Sequence, residues 1–293
     1  MNEPESVPFN FLGIPAKTSA YSTARLVVLP IGFEATTTYG TGARDGPEAL
    51  IAASRKVEPY DPDLCVNLAE APIHTMDPLT PDLSSPNAMT ERIARVAGRA
   101  GTDGKWVLGL GGEHTVSLGL VRACAKEHGR LSILHIDAHL DLWSKYEGTP
   151  YSHACVMRQC VEDGHRTVHV GIRSAGHEEL AFASKKKLPI FWARQCAGAD
   201  RWVARVVAAL RSPVYISFDV DGLDPGIIRT TGTPEPGGLA WWPTMRMLEQ
   251  IFRRHKVVGA DVVELAAGGD RASDFAAARL AAKIAALALY AKR

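Results

Sequence analysis

Three short stretches gather acidic and imidazole side chains at the ends of apolar runs: "HIDAHLD" at 135–141, "SFDVDGLDP" at 217–225 and "GLGGEHT" at 109–115. In an extended chain, residues two apart share a side. Asp137, His139 and Asp141 therefore converge if the strand beginning at Leu131 continues through them, and Asp219 and Asp221 do the same. Charges at the end of a buried strand need something to offset their lost hydration. Taken alone, the first triplet also suits a helix N-terminus with capping aspartates and a surface histidine. The second stretch, and Glu113 and His114 at a third strand end, change that balance, because open parallel sheets collect ligands beyond the carboxyl ends of their strands. Four carboxylates in one cleft would repel each other and take up protons. Two divalent cations would neutralise them. With oxygen ligands dominating, manganese fits better than zinc, and a metal pair lowers the pKa of a shared water so that hydroxide forms at neutral pH. Six residues carry this reading: His114, Asp137, His139, Asp141, Asp219 and Asp221.

The elements that must position them are legible as apolar runs: "ARLVVLPIG", "KWVLGLGG", "LSILHID", "RTVHVGI", "LPIFWA", "PVYISFDVD" and "KVVGADVVEL". Helical patterns at 115–129, 153–163, 199–211 and 243–255 lie between them. Near-continuous apolar strands separated by helices predict a parallel sheet covered on both faces, a three-layer α/β/α fold. Residues 58–90, rich in proline, read as a meandering surface connection. No linker divides the chain, so 1–293 is expected to form a single domain. The C-terminal "AAARLAAKIAALALY" is interrupted by Arg279 and Lys283 and reads as an amphipathic helix capped by Ser273 rather than as a membrane span.

Composition narrows the function classes. A chain of 293 residues, 46% hydrophobic and 22% charged with a formal net charge of +1, is ordinary for a globular protein. It offers no charge excess for nucleic acid or an anionic membrane. Five cysteines with no C-x-x-C pair predict neither a disulfide framework nor a zinc ribbon. The N-terminal "MNEPESVPFNFLGIP" lacks the basic start and apolar core of a signal peptide, so a cytoplasmic protein is expected.

These motifs resemble the ureohydrolases, the family of arginases and agmatinases, and among them most the agmatinases. The likeness is carried by "GGEHT" at 111–115, "DAHLD" at 137–141 and "SFDVDGLDP". It is supported by "GTPEPGGL" at 232–239, "DVVELA" at 261–266, "TYGTGARDGPEAL" and "SDFAAARL". The resemblance implies an eight-stranded parallel sheet and a homo-oligomer, usually a trimer or hexamer. It implies two Mn2+ ions, His114 and Asp141 completing one site, His139 and Asp221 the other, with Asp137 and Asp219 bridging. The implied reaction is attack of hydroxide on a substrate guanidinium, followed by collapse to urea and an amine whose nitrogen must receive a proton. "YSHACVMR" at 151–158 nominates His153 as that proton shuttle, whose alternative is a packed histidine at a helix start. Glu264 is the implied partner of the guanidinium. Asp141 joins His153 and Glu264 as catalytic, while Glu264, His153 and Trp143 are the expected substrate contacts. Glu113 is read as support for His114, or else as a solvated glutamate, and Asp261 has no assigned role.

The arginase devices for the α-amino and α-carboxylate groups are absent from "LWSKYEGTPYSH" and "GIRSAGHEEL". Agmatine, giving putrescine and urea, is the expected substrate; guanidinobutyrate and other ω-guanidino acids are the alternative, and arginine ranks below both. Trp143 could offer a cation–π face to a distal ammonium or simply pack. Three rivals are weaker. "GLGGEHT" lacks the third glycine of a dinucleotide loop and carries Glu113 against phosphate. A thiol hydrolase would use Cys155 near His153, and a guanidine-binding protein without turnover would not need the whole constellation.

Overall fold

The structure is a computed structural model and describes residues 6–198 and 200–292. Residues 1–5 of the N-terminal stretch, residue 199 at the start of one expected helix, and residue 293 lie outside the described residues. From the N-terminus the elements are β1 (Leu26–Ile31), α1 (Gly46–Ser54), β2 (Tyr60–Asp61), β3 (Val66–Asn67), β4 (Ile73–Thr75) and α2 (Pro86–Thr102). There follow β5 (Trp106–Gly111), α3 (Thr115–His128), β6 (Ser132–Ile136), α4 (Val156–Glu162), β7 (Arg166–Ile172), α5 (His177–Lys186) and β8 (Ile190–Trp192). The remainder is α6 (Ala193–Cys196), α7 (Arg201–Ala209), β9 (Val214–Asp219), α8 (Trp241–Arg254), β10 (Val257–Val263) and α9 (Arg271–Tyr290).

Eight strands form one sheet in the order β4-β1-β5-β10-β9-β6-β7-β8. Every neighbouring pair is parallel. β1, β6, β9 and β10 are buried at every residue, which is why their sequences run apolar without alternation. Helices α2, α3, α4 and α5 cover one face through residues such as Ile93, Val116, Met157 and Ala183. Helices α1, α7, α8 and α9 cover the other through Leu50, Val206, Leu248 and Leu280. Each buried Leu, Ile or Val contributes about 1.5–3 kcal/mol, so the two apolar layers hold the sheet. The three-layer expectation and the strand count both hold.

Local expectations fare less evenly. Residues 58–90 are not a structureless connection: β2 pairs with β3, β4 adds an edge strand to the sheet, and α2 begins at Pro86 under the cap of Ser85, whose side chain accepts from Ala88 N. Three-residue strands and a Pro-led helix start leave little periodic signal. The helix expected over 153–163 opens with a 3₁₀ turn at His153–Cys155, and that expected over 243–255 starts two residues earlier. Ser273 does not cap α9. Asp270 does, accepting from Ala272 N at 3.1 Å, while the Ser273 hydroxyl sits in the first turn and donates to Asp270 Oδ2 at 2.8 Å. Among the described residues no helix is long and apolar enough to cross a membrane. Within α9, Lys283 is buried against Asp61, Asp63 and Glu249 at 2.7–3.1 Å.

Candidate active site

The strands that carry the chemical motifs, β5, β10, β9 and β6, are four consecutive neighbours at the centre of the sheet. Their carboxyl ends therefore lie side by side. At the end of β5 the chain turns where Gly112 packs so tightly on Phe33 that a Cβ would come within 2.0 Å of its carbonyl oxygen. That turn delivers Glu113 and then His114, at the head of α3. β6 stops at Ile136, earlier than expected: Asp137, His139 and Asp141 converge through a loop, not a continued strand. Asp141 (φ 53°) and Glu264 (φ 65°) both occupy the left-handed region, which β-carbon sterics disfavour. Their strain sits at the site itself.

His114 Nδ1 faces Asp141 Oδ2 at 3.0 Å, Asp137 Oδ2 at 3.1 Å and Asp219 Oδ2 at 3.4 Å. His139 Nδ1 faces Asp221 Oδ2 at 3.0 Å and Asp137 Oδ1 at 3.4 Å. The two oxygens of Asp137 thus look toward different imidazoles. Each group, His114 with Asp137 and Asp141, and His139 with Asp137 and Asp221, brings its ligand atoms close enough for one cation. His135 falls in the first group as well, a residue the sequence reading passed over although it lies two before Asp137 on the same side.

The donor set fits metal ions on a further observation. His114 Nδ1 is buried and has no aligned hydrogen-bond partner, despite the three nearby oxygens. Its other nitrogen, Nε2, lies 2.9 Å from Ser217 Oγ, which donates to Asp261 Oδ1 at 3.0 Å. Because the serine proton is committed to Asp261, Nε2–H donates to Ser217 and Nδ1 is the nitrogen that faces the carboxylates; burial opposes charge on this ring, but Asp137, Asp141 and Asp219 raise its pKa well above the usual value, so a metal would take the place of the Nδ1 proton. A ligating histidine is ordinarily oriented in this way. Asp261, which the sequence left without a role, also accepts from Tyr215 Oη and Phe218 N, and so anchors the serine.

Without a cation the cluster holds protons. Burial opposes charge on His139, yet Asp137 and Asp221 raise its pKa to about 12. Burial and the neighbouring carboxylates push Asp219 and Asp221 up as well. Both shifts are those of an acid cluster with protons in place of positive ions.

Glu113 does not support His114, and it is not solvated. It is fully buried, accepting from Ala35 N at 2.7 Å, Thr36 N at 2.6 Å and Thr36 Oγ1 at 2.8 Å. The loop it fixes positions His153: Thr36 Oγ1 accepts from His153 N at 3.0 Å, and Thr38 Oγ1 lies 2.8 Å from His153 Nε2. His153 Nδ1 is 3.5 Å from Glu264 Oε1. Burial disfavours charge on this ring, but Glu264, with Asp141 and Glu113 behind it, raises its pKa to about 9. Glu264 Oε1 accepts from His114 N at 2.6 Å, tying β10 to the head of α3. Arg173, also unforeseen, clamps two loops by donating from Nη2 to Asp221 O at 2.6 Å and to Glu235 O at 2.7 Å.

These groups open into a cavity of about 420 Å³ that includes His139, Asp141, Trp143, Tyr146, His153, Glu179, Asp219, Asp221, Glu235 and Glu264 in its lining. No lysine or arginine among the described residues lines it. Trp143 packs on Gly176, where a Cβ would come within 2.3 Å of the indole, and its ring centroid is 5.9 Å from that of Tyr146. Cys155 is buried with Sγ 3.8 Å from Thr149 O, and burial pushes its thiol up to about 11, which leaves it poorly suited as a nucleophile.

The chain is similar to several known proteins. The chain is 38% identical, over 97% of its length and 95% of the relative's, to N(1)-aminopropylagmatine ureohydrolase of Synechocystis sp.. It is 34% identical to the agmatinase of Pyrococcus horikoshii, over 85% of each chain. The crystal structure of the agmatine ureohydrolase of Thermoplasma volcanium superposes with a TM-score of 0.83 at 28% identity, covering 97% of this chain and 95% of that one. The sequence profile of the arginase family matches residues 24–290. The chain belongs to the arginase family.

Proposed function

We propose that the chain is a two-metal ureohydrolase that cleaves the guanidinium group of a guanidino-alkylamine, agmatine or its N1-aminopropyl derivative, to urea and the corresponding amine. In this reading His114 and Asp141 would hold one Mn2+, His139 and Asp221 the other, and Asp137 and Asp219 would contribute to both. When bound, the ions neutralise the four carboxylates and supply an activated water at neutral pH. The rest of the chemistry falls to the chain. Glu264 commits Oε1 to His114 N, which leaves Oε2 to accept from the guanidinium in a charge-assisted hydrogen bond. His153, held by Thr36 and Thr38 and charged at neutral pH, donates its proton to the departing nitrogen, without which the amine could not leave.

The choice of an amine over an acid rests on one observation: among the described residues the cavity is lined by carboxylates and by no lysine or arginine. A substrate carboxylate would be desolvated there without a counter-charge. An ammonium finds Glu235 and the faces of Trp143 and Tyr146. The names of the Synechocystis and Pyrococcus relatives support both the longer and the shorter amine.

Urea release by the manganese-loaded protein, offered agmatine, N1-aminopropylagmatine, guanidinobutyrate and arginine side by side, tests the proposal. One or both amines should exceed guanidinobutyrate and arginine in kcat/KM by at least about 100-fold, the scale of one unpaired buried charge. Equal or better turnover of guanidinobutyrate would overturn the choice of tail, and no urea from any of the four would overturn the activity.

A further inference from the structure

One level below the metal-facing carboxylates, the sheet carries a row of polar residues through an otherwise apolar core. Asp261 on β10 is in register with Ser217 on β9, Ser217 with His135 on β6, and His135 with His169 on β7. All four are fully buried. Asp261 and Ser217 orient His114, as described. His135 and His169 have no part in the chemistry proposed above, and burying two imidazoles side by side costs free energy unless their nitrogens are satisfied.

Their hydrogen bonds run in series. His135 Nε2 is 2.8 Å from Asp137 Oδ2, His135 Nδ1 is 2.9 Å from His169 Nδ1, and His169 Nε2 is 2.8 Å from Thr167 Oγ1. An ionised carboxylate only accepts, so His135 Nε2 carries the hydrogen. With one hydrogen per ring, His135 Nδ1 accepts from His169 Nδ1–H, and His169 Nε2 accepts from the Thr167 hydroxyl. Burial and the adjoining His135 ring hold the pKa of His169 well below its usual value, in keeping with a singly protonated ring. Every donor in the chain points toward Asp137, and bonds aligned in this way polarise one another. The other oxygen of Asp137 accepts from His139 N at 2.5 Å.

We propose that Thr167, His169 and His135 form a one-way hydrogen-bond chain that positions Asp137, fixing from beneath the carboxylate whose two oxygens face His114 and His139; the inference rests on the two-metal reading of the site. His135 is then a positioning residue and not a ligand, since ligation through Nε2 would remove the hydrogen that Asp137 accepts.

The test is Mn2+ binding by isothermal titration, with metal content after dialysis, on the full chain and on His135→Phe, His135→Gln and Thr167→Val. His135→Phe should weaken Mn2+ binding by roughly 10–100-fold, the usual consequence of losing a partner of a metal ligand. His135→Gln, which can still donate to Asp137, should recover most of that loss, and Thr167→Val should fall between the unaltered chain and His135→Phe. Wild-type affinity for two ions in a folded His135→Phe protein would overturn the proposal. So would a His135→Gln protein as weak as His135→Phe, because donation would not then be what the ring supplies. If His135→Phe does not fold, the near-isosteric Thr167→Val decides, and unchanged binding overturns the chain. Failure of the unaltered protein to bind two ions would overturn the two-metal reading together with this inference, whereas two-ion binding with insensitive variants would overturn this inference alone.

Discussion

At the scale of single residues, the site is a set of side chains each held in one orientation by a neighbour that does no chemistry. Glu113 fixes Thr36, and Thr36 and Thr38 fix His153. Removing the shuttle should therefore be costly and specific. His153→Asn is expected to lower kcat by about 10²–10⁴-fold, the usual share of a general acid, while metal content stays unchanged. The pKa of His153 is raised to about 9. The charged ring is present at neutral pH and is lost as pH rises through that value, so kcat of the unaltered protein should fall above about pH 9, and this limb should vanish in His153→Asn. A pH series of initial rates on both proteins checks it. The six clustered Asp and His residues were legible in the sequence because three apolar runs that each end in such side chains are hard to explain together, although any one of them alone also suits a helix cap. Ser217, Asp261, His135 and Arg173 were not, since their roles depend on which strands lie side by side, and spacing along the chain does not carry that information. Glu113 was misread for the same reason: its partners, Ala35 and Thr36, lie more than seventy residues away in sequence.

At the scale of elements, the long apolar strands and the helices between them could be read from pattern, and the short pieces could not. Residues 58–75 hold two-residue strands and a three-residue edge strand whose identity comes from pairing rather than propensity. The same segment supplies Asp61 and Asp63 to Lys283 on α9, with Glu249 from α8. In the sequence Lys283 looked like a polar interruption of a helix, but in the fold it is the shared partner of three carboxylates. Lys283→Met should destabilise the protein by roughly 2–4 kcal/mol, somewhat below the usual figure for breaking a buried pair because Asp63 is half exposed and screened by solvent. Urea unfolding of the two proteins measures this, and the loss should persist in the presence of saturating Mn2+, since Lys283, Asp61, Asp63 and Glu249 do not line the cavity that holds the clustered Asp and His residues.

At the scale of the whole molecule, four adjacent parallel strands end in one place, and everything acidic about the site follows from that convergence. The metal-free cluster holds protons on His139 and favours them on Asp219 and Asp221. Metal must displace them. Binding should therefore release protons and strengthen as pH rises from about 6 to 8. Titration calorimetry of Mn2+ in buffers of different ionisation enthalpy checks this, and an observed enthalpy independent of buffer would contradict it. A metal that binds only the folded chain also stabilises it, by about 2.7 kcal/mol at a hundredfold excess over Kd, so chelation should lower the unfolding temperature. The most direct measurement strips the protein of metal with a chelator, returns Mn2+ in steps, and follows bound metal and urea release from the same samples. The two-ion account predicts no turnover in the stripped protein and activity that rises to a plateau at two ions per chain. Full turnover from the metal-free sample, or a plateau at one ion, would contradict it.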